Sequence, residues 1–255
     1  MTEPDHTDAT GAPPVPEIDV LLLFAGEHPI HAPIAPVQAQ RLPPQPALLS
    51  ADGGYALVLE DAERSAALAA SSMLRLHCEA LAPSAAWRSA MSTEIVRGLA
   101  AGALAVVLPA ARRVLGPAFL SGLLDQLGAP GSERTLFLQR EVLRAPGQSD
   151  VRVRGMAHFG LPDLACRVVS ADEPQAMRWI EACVIDLVAG GPDAVPVGRL
   201  IEVSAADGRC LGHLELHPAR ADPDAEAWPV LDLVPVDPPA DAVVSAGGGV
   251  GQRLR

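Results

Sequence analysis

The sequence predicts an α+β fold in which a mixed or antiparallel sheet carries about three main helices in a single compact domain. Three observations predict it: apolar runs with strand spacing come singly and in groups, three amphipathic helical stripes lie among them, and strands and helices do not alternate strictly. The expected order is β, β, β, α, β, α, β, β, α, β, β, β. We expect one domain over residues 18–236, with disordered tails at 1–17 and 237–255.

The first half of the chain alternates apolar strands with connecting segments. The proline-rich stretch 28–46 predicts an extended connection, with a short helix over 35–41 as the alternative. Apolar residues at every fourth position predict a helix over 85–101, and Ser84 is its natural N-cap. A second helix begins at Gly116-Pro117, because proline is tolerated in the first helical turn. The strands expected here cover residues 18–25, 55–59, 72–81 and 103–108.

The second half of the chain predicts strands, one more helix and a hairpin. The helix begins at Asp172-Glu173-Pro174 and ends at Gly190-Gly191, with an apolar stripe between. The Asp-Gly turn at 205–208 joins two alternating runs, which is a strong hairpin pattern. The strands expected here cover residues 135–142, one interrupted segment that begins at 151–153 and resumes at 164–169, and then 200–204, 209–216 and 228–236.

Composition excludes several function classes. All 19 basic residues are Arg, and 31 acidic residues give a formal net charge of −12, while aromatic residues make up only 3%. An acidic chain with few aromatic side chains lacks the charge and the stacking surfaces of a nucleic-acid-binding protein. The absence of Lys excludes a P-loop and a Schiff-base nucleophile.

The remaining sequence features indicate a cytoplasmic protein. We see no secretory signal and no apolar run long enough to cross a bilayer, so no membrane association is expected. Four scattered cysteines form no Cys-x-x-Cys pair and are expected to be reduced, mostly buried thiols.

Two segments carry a family resemblance. An apolar strand that ends near Pro109 precedes the helix at Gly116-Pro117, and the run from Val153 to Leu164 contains a turn followed by Phe159-Gly160 and Asp163. Together they resemble a bacterial family known as domain of unknown function 4261. The resemblance extends in order over roughly residues 18–216. It implies no particular activity.

The densest unusual cluster lies between two predicted strands. It comprises Arg154, Gly155, His158, Phe159 and Gly160. The glycines would let a ligand approach the backbone, and the guanidinium would bind a carboxylate or phosphate, which is the pattern of a small-anion sensor. The alternative is structural: the glycines mark a tight turn, and Arg154 pairs with an acidic neighbour.

His213, Glu215 and His217 form the candidate metal site. Alternate residues of a strand point to one face, and imidazole with carboxylate suits zinc, iron or manganese. The alternative is the solvated face of a hairpin whose other face, with Leu214 and Leu216, is buried.

The sequence contains no recognisable catalytic set, and we predict no cofactor. The preferred hypothesis is a non-catalytic module that binds another protein, of the immunity-like or secretion-associated kind, because a strongly acidic protein suits a basic partner. A metal-dependent enzyme that uses the His-x-Glu-x-His strand and a small-anion sensor are the alternatives. The sequence does not indicate an oligomeric state.

Overall fold

A computed structural model describes residues 18–27, 32–50, 54–77, 84–126, 132–191, 197–198, 200–204, 210–218 and 230–236. These residues contain twelve strands and five α-helices. The strands are β1 (Val20–Phe24), β2 (Gln38–Leu42), β3 (Ala56–Val58), β4 (Ser72–His77), β5 (Ala105–Leu108), β6 (Arg113–Leu115), β7 (Gln139–Ala145), β8 (Gln148–Arg154), β9 (Asp163–Val169), β10 (Leu200–Ser204), β11 (Cys210–Pro218) and β12 (Val230–Pro235). The helices are α1 (Asp61–Leu68), α2 (Ala85–Ala100), α3 (Pro117–Leu124), α4 (Ser132–Phe137) and α5 (Glu173–Gly190).

The first sheet has the strand order β2-β4-β1-β5-β6-β3 and is antiparallel except for the β3–β6 pair. All five side chains of β1 are buried, because both faces of the sheet are covered. On one face Leu21 and Leu23 join a core cluster with Leu49 and α1. On the other face Leu22 joins a second cluster together with α2.

The second sheet has the strand order β10-β11-β12-β9-β8-β7 and is parallel only between β12 and β9. Helix α5 packs along one face of this sheet. We call the opposite face the outer face. Because side chains alternate along a strand, the outer face carries Glu141, Leu143, Asp150, Arg152, Arg154, Arg167, Val169, Glu202, His213, Glu215, His217, Asp232 and Val234.

One hydrophobic core joins the two sheets. It contains Val106 and Leu115 from the first sheet, Val151 and Leu164 from the second, and Phe137 between them. Contiguous packing of this kind makes one body of the two sheets. None of the described helices is both long and apolar enough to span a bilayer.

A buried arginine bonds the first sheet to the start of the second. Arg113 of β6 donates from Nη1 to the carbonyl oxygens of Thr135 and Leu138, at 2.7 and 2.9 Å. Burial, with a smaller contribution from Arg140, lowers the pKa of Arg113 to about 10. The guanidinium therefore stays charged at neutral pH, where it satisfies carbonyls at the end of α4.

The predicted α+β class is confirmed, and three predicted helices correspond to α2, α3 and α5. Ser84 accepts a hydrogen bond from the amide of Trp87 at 3.1 Å, as an N-cap does. The structure also has features that the sequence pattern did not predict. The strands form two sheets, and the additional elements are α1, α4, β2 and β6. The tails at 1–17 and 237–255 and the hairpin turn at 205–208 lie outside the described residues.

Two segments differ from expectation. Residues 135–137 were predicted as strand and form the end of α4, with Leu136 and Phe137 buried in the core. The segment 35–41 was expected as a connection or helix, yet β2 begins at Gln38 as an edge strand paired with β4. In both places tertiary packing and sheet pairing override the local pattern.

Candidate functional site

The predicted ligand-binding cluster folds as a single turn between β8 and β9. Gly155 and Gly160 flank a 3-10 turn at Met156–Phe159, and both adopt left-handed backbone angles, with φ of 89° and 71°. A Cβ at Gly155 would lie 2.2 Å from the Phe137 carbonyl oxygen and 2.9 Å from the Cβ of Ala111. Gly155 is therefore required by packing, where the turn meets α4 and the β5–β6 connection.

His158 lies inside the core rather than on a surface. Its ring stacks on Phe137 at a centroid distance of 4.8 Å and on Trp87 at 5.9 Å. The Nδ1 atom is 2.9 Å from the carbonyl oxygen of Gly155, which makes Nδ1–H the donor. Burial lowers the pKa of His158 to about 4, the Gly155 hydrogen bond opposes this, and nearby Arg88 adds to it. The imidazole is therefore neutral at physiological pH.

Arg88 of α2 contacts this turn through its guanidinium. Its Nε donates to Glu133 at 2.8 Å, and its guanidinium carbon lies 4.6 Å from the centroid of the Phe159 ring. A further contact joins its Nη1 to the carbonyl oxygen of His158 at 3.4 Å. These contacts connect α2, α4 and the turn, so this part of the cluster is a structural junction.

Asp163 is a buried carboxyl at the first position of β9. It accepts a hydrogen bond from the amide of Met156 at 3.0 Å. Burial raises the pKa of Asp163 to about 7, while the amides of Met156 and Gly155 and the charge of Arg154 oppose the rise. The carboxyl thus closes the turn by bonding its first residue.

Arg154 is already paired. Its Nε donates to Glu141 of β7 at 2.6 Å, and only 11% of its side chain is exposed. The structure brings all five predicted residues together, but as a packed turn with His158 and Phe159 in the core. A ligand would have to compete with Glu141 for the Nε of Arg154. Anion binding by this cluster stays a prediction.

The three predicted metal ligands lie on the outer face of β11 and divide into two groups. The Nε2 of His217 is 3.0 Å from the Oε2 of Glu215. His213 lies instead beside Glu202 and Cys210, whose ligand atoms come within 4.8 Å of one another and of its own. Because residues four apart on a strand are separated by about 13 Å, His213 and His217 do not converge on one point.

An open depression of about 520 Å³ lies at the β9–β12 part of the outer face. It is lined by Arg167, His217, Asp232, Val234 and their neighbours on β11 and β12. Arg167 is 71% exposed at its side chain and lies 3.8 Å from Asp150. The depression offers both charge and apolar surface to a binding partner.

Sequence reasoning missed the buried role of Asp163 and the inclusion of Glu202 and Cys210 beside His213. The pairing of Glu202 with His213 follows from hairpin register, which the pattern indicated only approximately. The burial of Asp163 depends on long-range packing, which leaves no local sequence pattern. Comparison with known proteins adds no function: no family model, no curated protein and no solved structure matches this chain.

Proposed function

We propose that the protein is a non-catalytic module that binds another protein through the outer face of the second sheet. The observation that carries the proposal is a set of three exposed apolar side chains among charged neighbours on that face. Leu143, Val169 and Val234 are 48%, 56% and 40% exposed. Apolar positions surrounded by polar side chains are the common composition of protein-binding surfaces.

The charged groups of the outer face are largely paired with one another. Arg152 donates to Asp150 at 2.8 Å, and Arg154 pairs with Glu141. Pairing holds these side chains in place, so less conformational entropy is lost when a partner covers them. Arg167 is the more exposed cation and is available to a carboxylate of the partner.

The net charge favours a basic partner. At −12 the chain attracts a cationic protein at long range and accelerates encounter, particularly at low salt. This supports the immunity-like or secretion-associated role over a nucleic-acid-binding one, since nucleic acid would be repelled.

The position of the most perturbed titratable groups supports a non-catalytic role. Burial lowers the pKa of His158 and raises the pKa of Asp163, Cys166 and Cys183. Catalytic groups with shifted pKa values line accessible clefts, whereas these side chains lie within the core.

We further propose a bacterial cytoplasmic protein related to domain of unknown function 4261. Cys166 and Cys183 are free and buried, which suits a reducing compartment. The two segments that carry the resemblance lie close together in the fold, because Ala111, which connects the strand of the first to its helix, packs against Gly155 of the second.

Comparative capture from a bacterial lysate at low salt tests the proposal. The face variant carries Leu143→Arg, Val169→Arg and Val234→Arg. The control variant carries Leu68→Arg, Val96→Arg and Ile185→Arg, which are exposed apolar residues on helices α1, α2 and α5. We expect a protein that wild type and control retain in stoichiometric amount and that the face variant loses. Equal retention by all three, or no retained protein, contradicts the proposal.

A further inference from the structure

We propose that Glu202, Cys210 and His213 bind a zinc-class divalent ion at the β10–β11 hairpin. Their ligand atoms, a carboxylate oxygen, the thiol Sγ and an imidazole nitrogen, all lie within 4.8 Å of one another. Thiolate, imidazole and carboxylate are the ligands that Zn²⁺ takes in proteins. The site goes beyond the proposed function, because metal binding needs no partner protein.

A β-bulge places these three side chains on one face. Val203 pairs with Gly212, but Ser204 pairs with Cys210, so β11 has one extra residue at this point. Without the extra residue, strand alternation would direct Cys210 to the face opposite His213. With it, Cys210 lies beside Ser204 on the outer face, where Glu202 and His213 are direct cross-strand partners.

Gly212 makes the bulge possible. Its φ of 153° is a conformation that side chains rarely adopt, and a Cβ there would lie 2.8 Å from the indole nitrogen of Trp179. Glycine therefore lets β11 pass close to α5 while the bulge turns Cys210 outward. Local backbone geometry of this kind is common where a strand presents functional side chains.

Binding an ion would require the three ligand atoms to move slightly closer together. Tetrahedral zinc with bonds of 2.0–2.3 Å holds its ligand atoms about 3.3–3.6 Å apart. The ligand atoms lie within 4.8 Å of one another, and Glu202 and Cys210 are exposed while His213 is half-buried, so their side chains have room to rotate toward an ion. Ser204 donates to Glu202 at 3.3 Å and would hold the carboxylate in place. Three protein ligands leave the fourth position to water.

Titration of the full-length protein with Co²⁺ alone, followed by Zn²⁺ displacement, tests the site. Co²⁺ replaces zinc and reports a thiolate ligand through a charge-transfer absorption band. We expect one equivalent to bind with this band, and Cys210→Ser to abolish it. Loss of a side chain that only hydrogen-bonds to a metal ligand weakens metal binding by at most roughly 100-fold. His213→Ala removes a ligand itself, so it should weaken Zn²⁺ binding by more than that.

His217→Ala is the matched control, because it removes an imidazole from the same face of the same strand. We expect it to leave Zn²⁺ affinity within about twofold and to show the same cobalt spectrum. Melting without metal checks that each variant is folded. Three results overturn the proposal: no Co²⁺ binding, a charge-transfer band that survives Cys210→Ser, or equal loss of affinity in His217→Ala and His213→Ala.

Discussion

The imidazole of His158 stacks on the ring of Phe137 with their centroids 4.8 Å apart and their planes 26° from parallel. His158 belongs to the turn that precedes β9 in the second sheet. Phe137 ends α4, whose last carbonyls Arg113 of the first sheet binds. The stack therefore lies where the two sheets share their core.

His158→Ala should destabilise the fold by about 2–4 kcal/mol, because it leaves a cavity between Phe137 and Trp87 and removes the hydrogen bond to Gly155. His213→Ala removes an imidazole from the surface and should change the free energy of unfolding by less than about 0.5 kcal/mol. Urea denaturation of both variants measures the difference. Equal losses would place the His158 ring outside the core.

Gly155→Ala should cost about 3 kcal/mol, the sum of a left-handed backbone angle and overlap with the Phe137 carbonyl. Gly147→Ala is the matched control. Gly147 also has a positive φ, 75°, but nothing lies within 4 Å of its added Cβ, so about 1 kcal/mol is expected. Thermal or urea unfolding distinguishes the two. A cost at Gly155 no larger than at Gly147 would contradict the close approach.

Arg113→Met should destabilise the fold by about 2–3 kcal/mol, because the carbonyl oxygens of Thr135 and of buried Leu138 lose a charged donor. Arg41→Met is a useful comparison, since Arg41 forms an exposed ion pair with Glu27 and its loss should cost about 1 kcal/mol or less. Urea denaturation at neutral pH measures both. If Arg113→Met costs no more than Arg41→Met, the Arg113 guanidinium is not a necessary link between the two sheets.

The carboxyl of Asp163 and the imidazole of His158 should affect stability with opposite dependence on pH. Burial raises the pKa of Asp163 from 3.8 to about 7, so its contribution is full below pH 3.8 and is lost as the pH rises to 7. Burial lowers the pKa of His158 from 6.5 to about 4, so its contribution is full above pH 6.5 and is lost as the pH falls to 4. The two therefore offset each other between pH 4 and 6.5.

Single variants separate these two contributions. Asp163→Asn removes the loss of stability that ionisation of the buried carboxyl causes as the pH rises. The free energy of unfolding of this variant should therefore rise relative to that of wild type by up to about 1.4 kcal/mol per pH unit from pH 4 to 7. His158→Phe removes the gain of stability that the neutral imidazole gives as the pH rises. The free energy of unfolding of this variant should therefore fall relative to that of wild type from pH 4 to 6.5. Urea denaturation across this range measures both. If the difference in free energy of unfolding from wild type does not change with pH in either variant, neither group is buried as described.

Periodicity was enough to predict the helices that have a continuous apolar stripe. Helices α2 and α5 bury one face each and have a Ser cap or a proline start, so their position follows from local patterns. The structure of residues 135–137 does not follow from the local pattern. Their sequence, Thr-Leu-Phe, favours a strand, and only the core contacts of Phe137 explain why they end a helix. Strand β2 lacked an apolar alternation, since it is an edge strand with few buried side chains.

The candidate sites were predictable only in part. His213 was identified from its spacing, but the bulge that brings Cys210 to it depends on the register of β10 and β11. The cluster around His158 was identified from its two glycines. Whether such glycines admit a ligand or a neighbouring carbonyl depends on Phe137 and Ala111, which are distant in the chain.

The affinity of a purified captured partner shows whether the outer face binds protein. Isothermal titration calorimetry would compare wild type, the Leu143→Arg/Val169→Arg/Val234→Arg variant and the Leu68→Arg/Val96→Arg/Ile185→Arg variant. We expect the face variant to weaken binding by about 100-fold or more, as loss of central apolar contacts does, while the control stays within about twofold. Equal dissociation constants for all three proteins would contradict it.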